Sequence, residues 1–227
     1  MSLEDRKALK ILELWDLTHT KAADFLSAFT FPWEALSGIQ NLISELGATL
    51  GKEYTEVSPQ VWVHNTATIA PTAYLGAPCI IGEYTEVRHG AFIRGSALVG
   101  NNCVVGNSVE LKNVILFDNV QVPHYNYVGD SILGYKAHMG AGSITSNVKS
   151  DKTLVSVRDG AQILSTGRKK VGAMLGDFVE VGCNSVLNPG TIVGRGSQIY
   201  PLSCVRGVIP ENSILKTGGI LVKKEQQ

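Results

Sequence analysis

The sequence predicts a mainly β fold: a single-stranded left-handed parallel β-helix of hexapeptide repeats, with a helical segment in front of it. Three observations carry this prediction. An aliphatic side chain recurs every six residues, at Val63, Ile69, Leu75, Ile81, Val87, Ile93, Val99, Val105 and Leu111. The run resumes with Leu133 and Met139, then Leu175, Val181, Leu187, Val193 and Ile199. A small residue follows four places after most of the first set, as at Ala67, Ala73, Cys79, Thr85, Ala91, Ala97 and Cys103. Glycine often follows directly, at Gly76, Gly82, Gly100 and Gly106. A period of six fits neither an α-helix nor an alternating strand. It fits a solenoid in which each short strand forms one face of a coil.

The first element is residues 1–56, read as helical. An amphipathic stretch runs from about Asp5 to Leu17. A second runs from Pro32 to Gly47, with Pro32 suited to a first helical turn and Gly47 to a C-terminal stop. The open end of a β-helix must be covered. The segment is therefore expected as a cap or a side-packed arm, with a substrate-facing lid or an oligomer contact as the functional alternative.

Residues 57–216 form the coil. Three hexapeptides make a turn of roughly 18 residues, which leaves room for about seven to eight turns. Two breaks interrupt the period. One lies between Phe117 and Leu133, where the register slips, and contains VPHYNYVGD. The other lies between Thr145 and Leu175. There Thr153–Val157 and Gln162–Ser165 flank Asp159-Gly160, which reads as a protruding hairpin inserted near 153–170. Departures from a rigid repeat are where sites are expected. Residues 217–227 read as a polar, frayed tail.

Composition narrows the function. The chain has 227 residues, a formal net charge of zero and 24 glycines. The basic excess of a nucleic-acid binder is lacking, and no apolar run approaches the ~20 residues that span a bilayer. The charged N-terminus is unlike a signal peptide, so a cytoplasmic location is expected. Cys79, Cys103, Cys183 and Cys204 form no CxxC and read as compact core fillers.

Of the five histidines, His19 and His64 lie outside the breaks, and His89 reads as a solvated loop residue. His124 stands in the register slip, and a neutral imidazole there is a suitable general base. His138 precedes Gly140-Ala141-Gly142. No HxxxxH pair occurs, so no metal site is expected.

Several off-repeat residues carry a family resemblance. They are Arg94, Glu110-Leu111-Lys112, His124-x-x-Tyr127, Gly140-Ala141-Gly142 and Thr145-Ser146-Asn147. In order and spacing they resemble the C-terminal acetyltransferase domain of the bifunctional N-acetylglucosamine-1-phosphate uridyltransferase/glucosamine-1-phosphate acetyltransferases. STGRKKVGAMLGD is also similar to archaeal sugar-1-phosphate nucleotidylyltransferases. The similarity covers about residues 60–215.

The resemblance implies an acetyl-CoA-dependent N-acetyltransferase of amino-sugar 1-phosphates, glucosamine 1-phosphate or galactosamine 1-phosphate, serving UDP-N-acetylglucosamine biosynthesis. It implies a homotrimer, with the acyl donor lying between neighbouring chains. Arg94 and Lys112 would hold the sugar phosphate, and His124 would take a proton from the 2-amino group. Tyr127 and Asn147 would orient the sugar, and Lys152 would match a second lysine that contacts either phosphate or CoA. The Ala141 N–H would face the thioester carbonyl, and Cys183 would stand near the pantetheine arm. His138 replaces the family's usual Asn, and Val148 its usual Tyr. Both changes border the sugar site and leave the amino sugar open. The first 56 residues cannot hold a nucleotidyltransferase domain, and no GxGTRM-like loop occurs. The expectation is acetylation without the uridyltransferase half. Two alternatives stand beside it: acyl transfer to a nucleotide-linked amino sugar, and a non-catalytic sugar-phosphate-binding or regulatory solenoid.

Overall fold

A computed structural model of the chain describes residues 9–225. The amphipathic stretch expected from Asp5 therefore begins outside the described residues. Short parallel strands wind into a left-handed β-helix with three flat walls. The periodic aliphatics point inward and are buried along almost the whole coil, from Ile81 to Ile199. The first wall carries rungs such as Ile81, Val99, Leu116, Leu133, Leu175 and Val193, in register. The second wall carries Val87, Val105, Val122, Met139 and Val181. The third carries Leu75, Ile93, Leu111, Val128, Thr145 and Leu187.

The register slip is not one event. Leu111 pairs with Ile93 eighteen residues back, but Leu116 pairs with Val99 seventeen back. The step from Leu111 to Leu116 is thus five residues, and so is the step from Val128 to Leu133. Each shortened corner keeps a single left-handed residue, Asn113 (φ 55°) and Asp130 (φ 49°). Asn and Asp tolerate that conformation better than other L-residues. The strands Glu110–Leu116 and Tyr127–Leu133 consequently run on around the corner. The expectation that His124 sits in the slip is corrected: it lies on a full six-residue step, Val122 to Val128, between the two shortened ones.

Among the described residues four α-helices precede the coil: α1 (Ile11–Leu14), α2 (Ala23–Ser27), α3 (Pro32–Ala35) and α4 (Ile39–Gly47). The Glu34 carboxylate accepts from the N–H groups of Thr30 and Phe31 and fixes the start of α3. The helices lie along the side of the coil. Helix α4 contacts the first-wall strands Cys79–Ile81, Ala97–Val99 and Glu110–Leu116. Further along, Trp15 is buried and donates from Nε1 to the Leu175 carbonyl at 2.7 Å. On the outer face of the first wall Ile80, Leu98, Ile115, Ile132, Met174 and Ile192 are all buried; α4 lies against the strands that carry the first three, and the strand Ser156–Asp159 against Thr191–Val193. Gly47 is the last residue of α4, and a Cβ there would overlap the Trp62 ring. Close approach, rather than a stop signal, accounts for that glycine. The chain is already extended at Tyr54–Ser58, antiparallel to Val61–His64, so helix ends well before residue 56.

Leu133 pairs with Leu175, 42 residues on. The insertion between Asn147 and Gly172 contains the hairpin Ser156–Asp159/Gln162–Ser165. It does not protrude. Val155 and Val157 are buried, and the hairpin backbone crosses over Gly190 and Gly207, where a side chain would collide with it. The tail is not frayed as far as residue 225. Leu221–Lys223 pairs antiparallel with Ser213–Leu215 and covers an otherwise open strand edge. Cys79 and Cys103 are buried, and burial pushes both thiols up to about 12. Cys183 and Cys204 are exposed, so the core-filler reading is corrected for those two. No helix among the described residues is long and apolar enough to cross a membrane.

Candidate functional site

The site grows from the shortened corners. Because Leu111 stacks on Ile93, Arg94 and Lys112 leave the third wall at the same corner on successive turns. Arg94 Nη1 donates to Glu110 Oε1 at 2.8 Å in a solvent-facing pair. Lys112 Nζ lies 3.2 and 3.3 Å from the two carboxylate oxygens of Asp130. Asp130 is 4% exposed. It also accepts from Asn113 Nδ2 at 2.9 Å and Asn147 Nδ2 at 2.5 Å. A buried charge is tolerated only when paired and fully hydrogen-bonded, and Asp130 meets that condition through side chains from the turn before it, Lys112 and Asn113, and the turn after it, Asn147.

Asn147 Nδ2 also reaches Tyr127 Oη at 3.2 Å. A Cβ at Gly129 would overlap that hydroxyl, so glycine is what lets Tyr127 and Asn147 meet over the wall. Burial, and then the carboxylates of Asp130 and Glu110, push the Tyr127 hydroxyl above its ordinary value. At neutral pH it is an un-ionised donor. Beneath it Thr145 and Ser131 are buried, and Thr145 Oγ1 accepts from the Gly129 N–H at 2.9 Å. Asn113 Nδ2 reaches the Leu36 carbonyl at 3.2 Å, which ties this corner to the helical arm.

His124 stands at the opposite corner of the third wall, three residues before Tyr127. A three-residue separation holds the two Cα atoms within about 11 Å. His124 is exposed and does not point into the coil interior. Its carbonyl accepts from the Gly142 N–H at 3.0 Å, and its N–H donates to Asn126 Oδ1 at 3.1 Å. Buried Asn126 in turn donates to the Gly140 carbonyl at 2.9 Å. The Gly140-Ala141-Gly142 turn is thereby fastened against the His124 corner. The Ala141 N–H has no hydrogen-bond partner among the described residues. Around that corner, on the second wall, His138 Nδ1 lies 2.7 Å from Glu180 Oε2. His138, Glu180 and Cys183 line a groove of about 260 Å³ with Tyr200. Lys152 is elsewhere, at the base of the insertion.

The structure therefore brings Arg94, Lys112, Tyr127 and Asn147 together at one corner. It gathers His124, Ala141, His138 and Cys183 about the other. No hydrogen bond or ion pair among the described residues joins the two groups. No group of three or more His, Cys, Asp or Glu side chains among the described residues is placed to hold a metal ion.

Comparison with known proteins adds the lineage. Residues 77–194, more than half of the chain, match the model of the GMPPB C-terminal domain family. The chain belongs to that family. The matched span runs through both shortened corners and the insertion, so the family relationship covers the candidate site itself. A bifunctional sugar-1-phosphate nucleotidylyltransferase/acetyltransferase of Sulfurisphaera tokodaii is 28% identical over 174 residues, 75% of this chain and 43% of the relative. The bifunctional protein GlmU of Methanococcus maripaludis (strain S2) is 28% identical over 223 residues, 96% of this chain and 54% of the relative. The chain spans about half the length of these curated relatives. Among solved structures, the polySia-specific acetyltransferase NeuO matches with a TM-score of 0.46 at 14% identity, over 70% of this chain and 80% of that one.

Sequence reasoning missed Asp130 and assigned no role to Glu110. A carboxylate within VGD is unremarkable in the sequence, and its partners lie seventeen or eighteen residues away. The signal available was the pair of five-residue steps, each turning at a residue suited to the left-handed region, Asn113 and Asp130.

Proposed function

We propose that the chain is an acyltransferase that moves an acetyl group from acetyl-CoA to the 2-amino group of an amino sugar carrying an anomeric phosphate. Glucosamine 1-phosphate and galactosamine 1-phosphate are the simplest acceptors. The observation that carries this reading is the third-wall rung with cations at one corner, an imidazole at the other and Tyr127–Asn147 between them. A phosphate at the Arg94–Lys112 corner lays the sugar across Tyr127 and turns its amine toward His124.

The chemistry needs a neutral amine. In this reading His124 accepts a proton from the attacking nitrogen as the new C–N bond forms and the C–S bond breaks, and the imidazolium then returns that proton to the departing thiolate. Such a base contributes about 10²- to 10⁴-fold. The partnerless Ala141 N–H is a donor for the carbonyl oxygen as it gains charge. The groove beside Cys183 suits the apolar arm of the donor. Arg94 must leave Glu110 to meet a phosphate, which costs little because exposed ion pairs are worth about 0–1 kcal/mol. Lys112 stays anchored by Asp130.

We also propose a homotrimer, in which the second-wall groove of one copy faces a neighbour. Sedimentation showing a monomer at micromolar concentration would count against it. The deciding experiment for the activity is an acceptor panel with acetyl-CoA, read by release of free thiol. Turnover is expected with amino-sugar phosphates. Its absence with every amino-sugar phosphate and nucleotide-linked amino sugar would leave a non-catalytic solenoid as the better reading.

A further inference from the structure

Asn113 divides the two protons of its side-chain nitrogen between distant parts of the chain. Nδ2 donates to Asp130 Oδ1 at 2.9 Å and to the Leu36 carbonyl at 3.2 Å. An amide nitrogen carries just those two protons, so the group is fully used as a bridge. The shortened corner sets its direction. The Asn113 backbone is left-handed at φ 55°, and its N–H donates to the Gly95 carbonyl at 3.2 Å. On one side of the bridge stands the buried carboxylate that anchors Lys112 and Asn147. On the other stands the turn between α3 and α4, residues 36–38.

The insertion fastens the same turn from another direction. Arg168 Nη2 donates to the Glu34 carbonyl at 3.0 Å and to Ser37 Oγ at 2.9 Å. Just beyond it in the chain, the Val171 N–H closes onto the Asn147 carbonyl at 3.0 Å. Asn147 is the residue that joins Asp130 to Tyr127. On the arm itself, Phe25 of α2 packs so closely on Gly38 that a Cβ there would overlap its ring. The turn is thus gripped by the coil, by the insertion and by α2. Covering an apolar wall requires only an apolar helix face. Two side-chain bridges converging on one turn point to a second task.

We propose that the α3–α4 turn positions the acceptor corner, with Asn113 and Arg168 as the positioning residues that couple it to Asp130 and Asn147. This step rests on the acceptor reading above. Asp130 holds both ends of that corner: Lys112 directly, and the Tyr127 hydroxyl through Asn147. A displaced turn takes one donor from a buried carboxylate, which is costly to leave short of partners. The carboxylate then shifts toward its remaining donors, and the cation and the phenol lose their common arrangement. The turn touches no substrate, yet it belongs to the acceptor site. His124, Ala141 and Cys183 have no hydrogen bond to α3, α4 or the turn between them, so donor binding is independent of it.

The test compares variants of the full chain in steady-state kinetics and in amide hydrogen exchange. Arg168→Gln frees the turn without touching the corner, and should raise KM for glucosamine 1-phosphate about threefold. Asn113→Gly keeps the left-handed backbone but removes the bridge, and should raise it about tenfold. In both, kcat and KM for acetyl-CoA should stay within about twofold. Exchange should quicken in residues 34–38 and also in the strand Tyr127–Leu133, which carries Asp130. Trp15→Phe is the control. It removes the hydrogen bond from Trp15 to Leu175 at the other end of the arm, and should lower the unfolding midpoint with KM for the acceptor unaltered. Unchanged acceptor KM in Arg168→Gln, or a fall in its kcat at constant KM as a loss of folded protein gives, overturns the proposal. So does an equal rise of acceptor KM in Trp15→Phe, or faster exchange confined to residues 34–38. Arg168→Gln keeps the test decisive should Asn113→Gly fold poorly. If the wild type acetylates no amino sugar, exchange still shows whether turn and corner move together, so the two failures are distinguishable.

Discussion

The first and third walls are built from the same rungs, yet one is buried core on both faces and the other carries the candidate site. On the first wall the outward side chains are Ile80, Leu98, Ile115, Ile132, Met174 and Ile192, all buried, with helix α4 against the earlier strands and the insertion hairpin against Thr191–Val193. On the third wall the outward column runs Tyr74, Phe92, Glu110, Tyr127, Ile144, Val186 and Cys204. Tyr74 and Phe92 are exposed, and Glu110 and Tyr127 serve the candidate site. Inward positions are nearly interchangeable between the walls. The outward position decides whether a wall is buried against an arm or left as a working surface.

The largest effect is expected on the working surface. His124→Ala should lower kcat by about 10²- to 10⁴-fold with the fold intact. Unchanged turnover in the acceptor assay would remove His124 as the base. The covered wall should answer in stability instead. Leu98→Ala is expected to cost about 2–5 kcal/mol in denaturant unfolding. Phe92→Ala, on the exposed wall, should cost no more than about 1 kcal/mol, a surface-like value. Equal losses would erase the distinction between the walls.

Asp130→Asn joins the two behaviours, because it keeps the shape but removes the buried charge. A stability loss of about 1–3 kcal/mol is expected, with a higher KM for the acceptor and an unchanged KM for acetyl-CoA. A double-mutant cycle with Lys112→Met should show coupling of about 0.5–3 kcal/mol. Strict additivity would mean that Asp130 does not act through Lys112. Glu110→Gln, which disturbs only the exposed pair, should change stability by less than about 1 kcal/mol. Smallest of all is the thiol count. Cys183 and Cys204 should react with a disulfide reagent in the native protein, and Cys79 and Cys103 only on unfolding, since a buried thiol pushed up to about 12 holds almost no thiolate. Four fast thiols would contradict the burial.

The inward period was legible on either side of the slip, because each rung repeats the same demand for an aliphatic side chain, but Leu116, Val122 and Val128 within the slip were not read as rungs. The covered wall was legible as well, but not at six-residue resolution. Adjacent aliphatic pairs (Ile80-Ile81, Leu98-Val99, Ile115-Leu116, Ile132-Leu133, Met174-Leu175, Ile192-Val193) mark one wall in three. A residue apolar on both sides of a strand requires cover. The slip was visible only as a net displacement, which placed it around His124 and hid the two corners that produce it. The hydrogen bonds of Asp130 depend on those corners and on partners one turn away in either direction, so no local pattern announces them. Cys183 and Cys204 were misread because they stand outside the small-residue slot, which past the insertion is still filled by buried Val179, Ser185, Thr191 and Ser197.

The paired five-residue steps have an engineering corollary. Repeat proteins invite modular construction, with turns exchanged, duplicated or spliced from one coil into another. Here every rung from Leu133 to Val205 is phased two residues earlier than a uniform repeat would put it. A chimera spliced anywhere between Leu111 and Leu133 would join coils out of step and turn aliphatic side chains into solvent. The segment from Glu110 to Leu133 has to be transplanted whole or left alone.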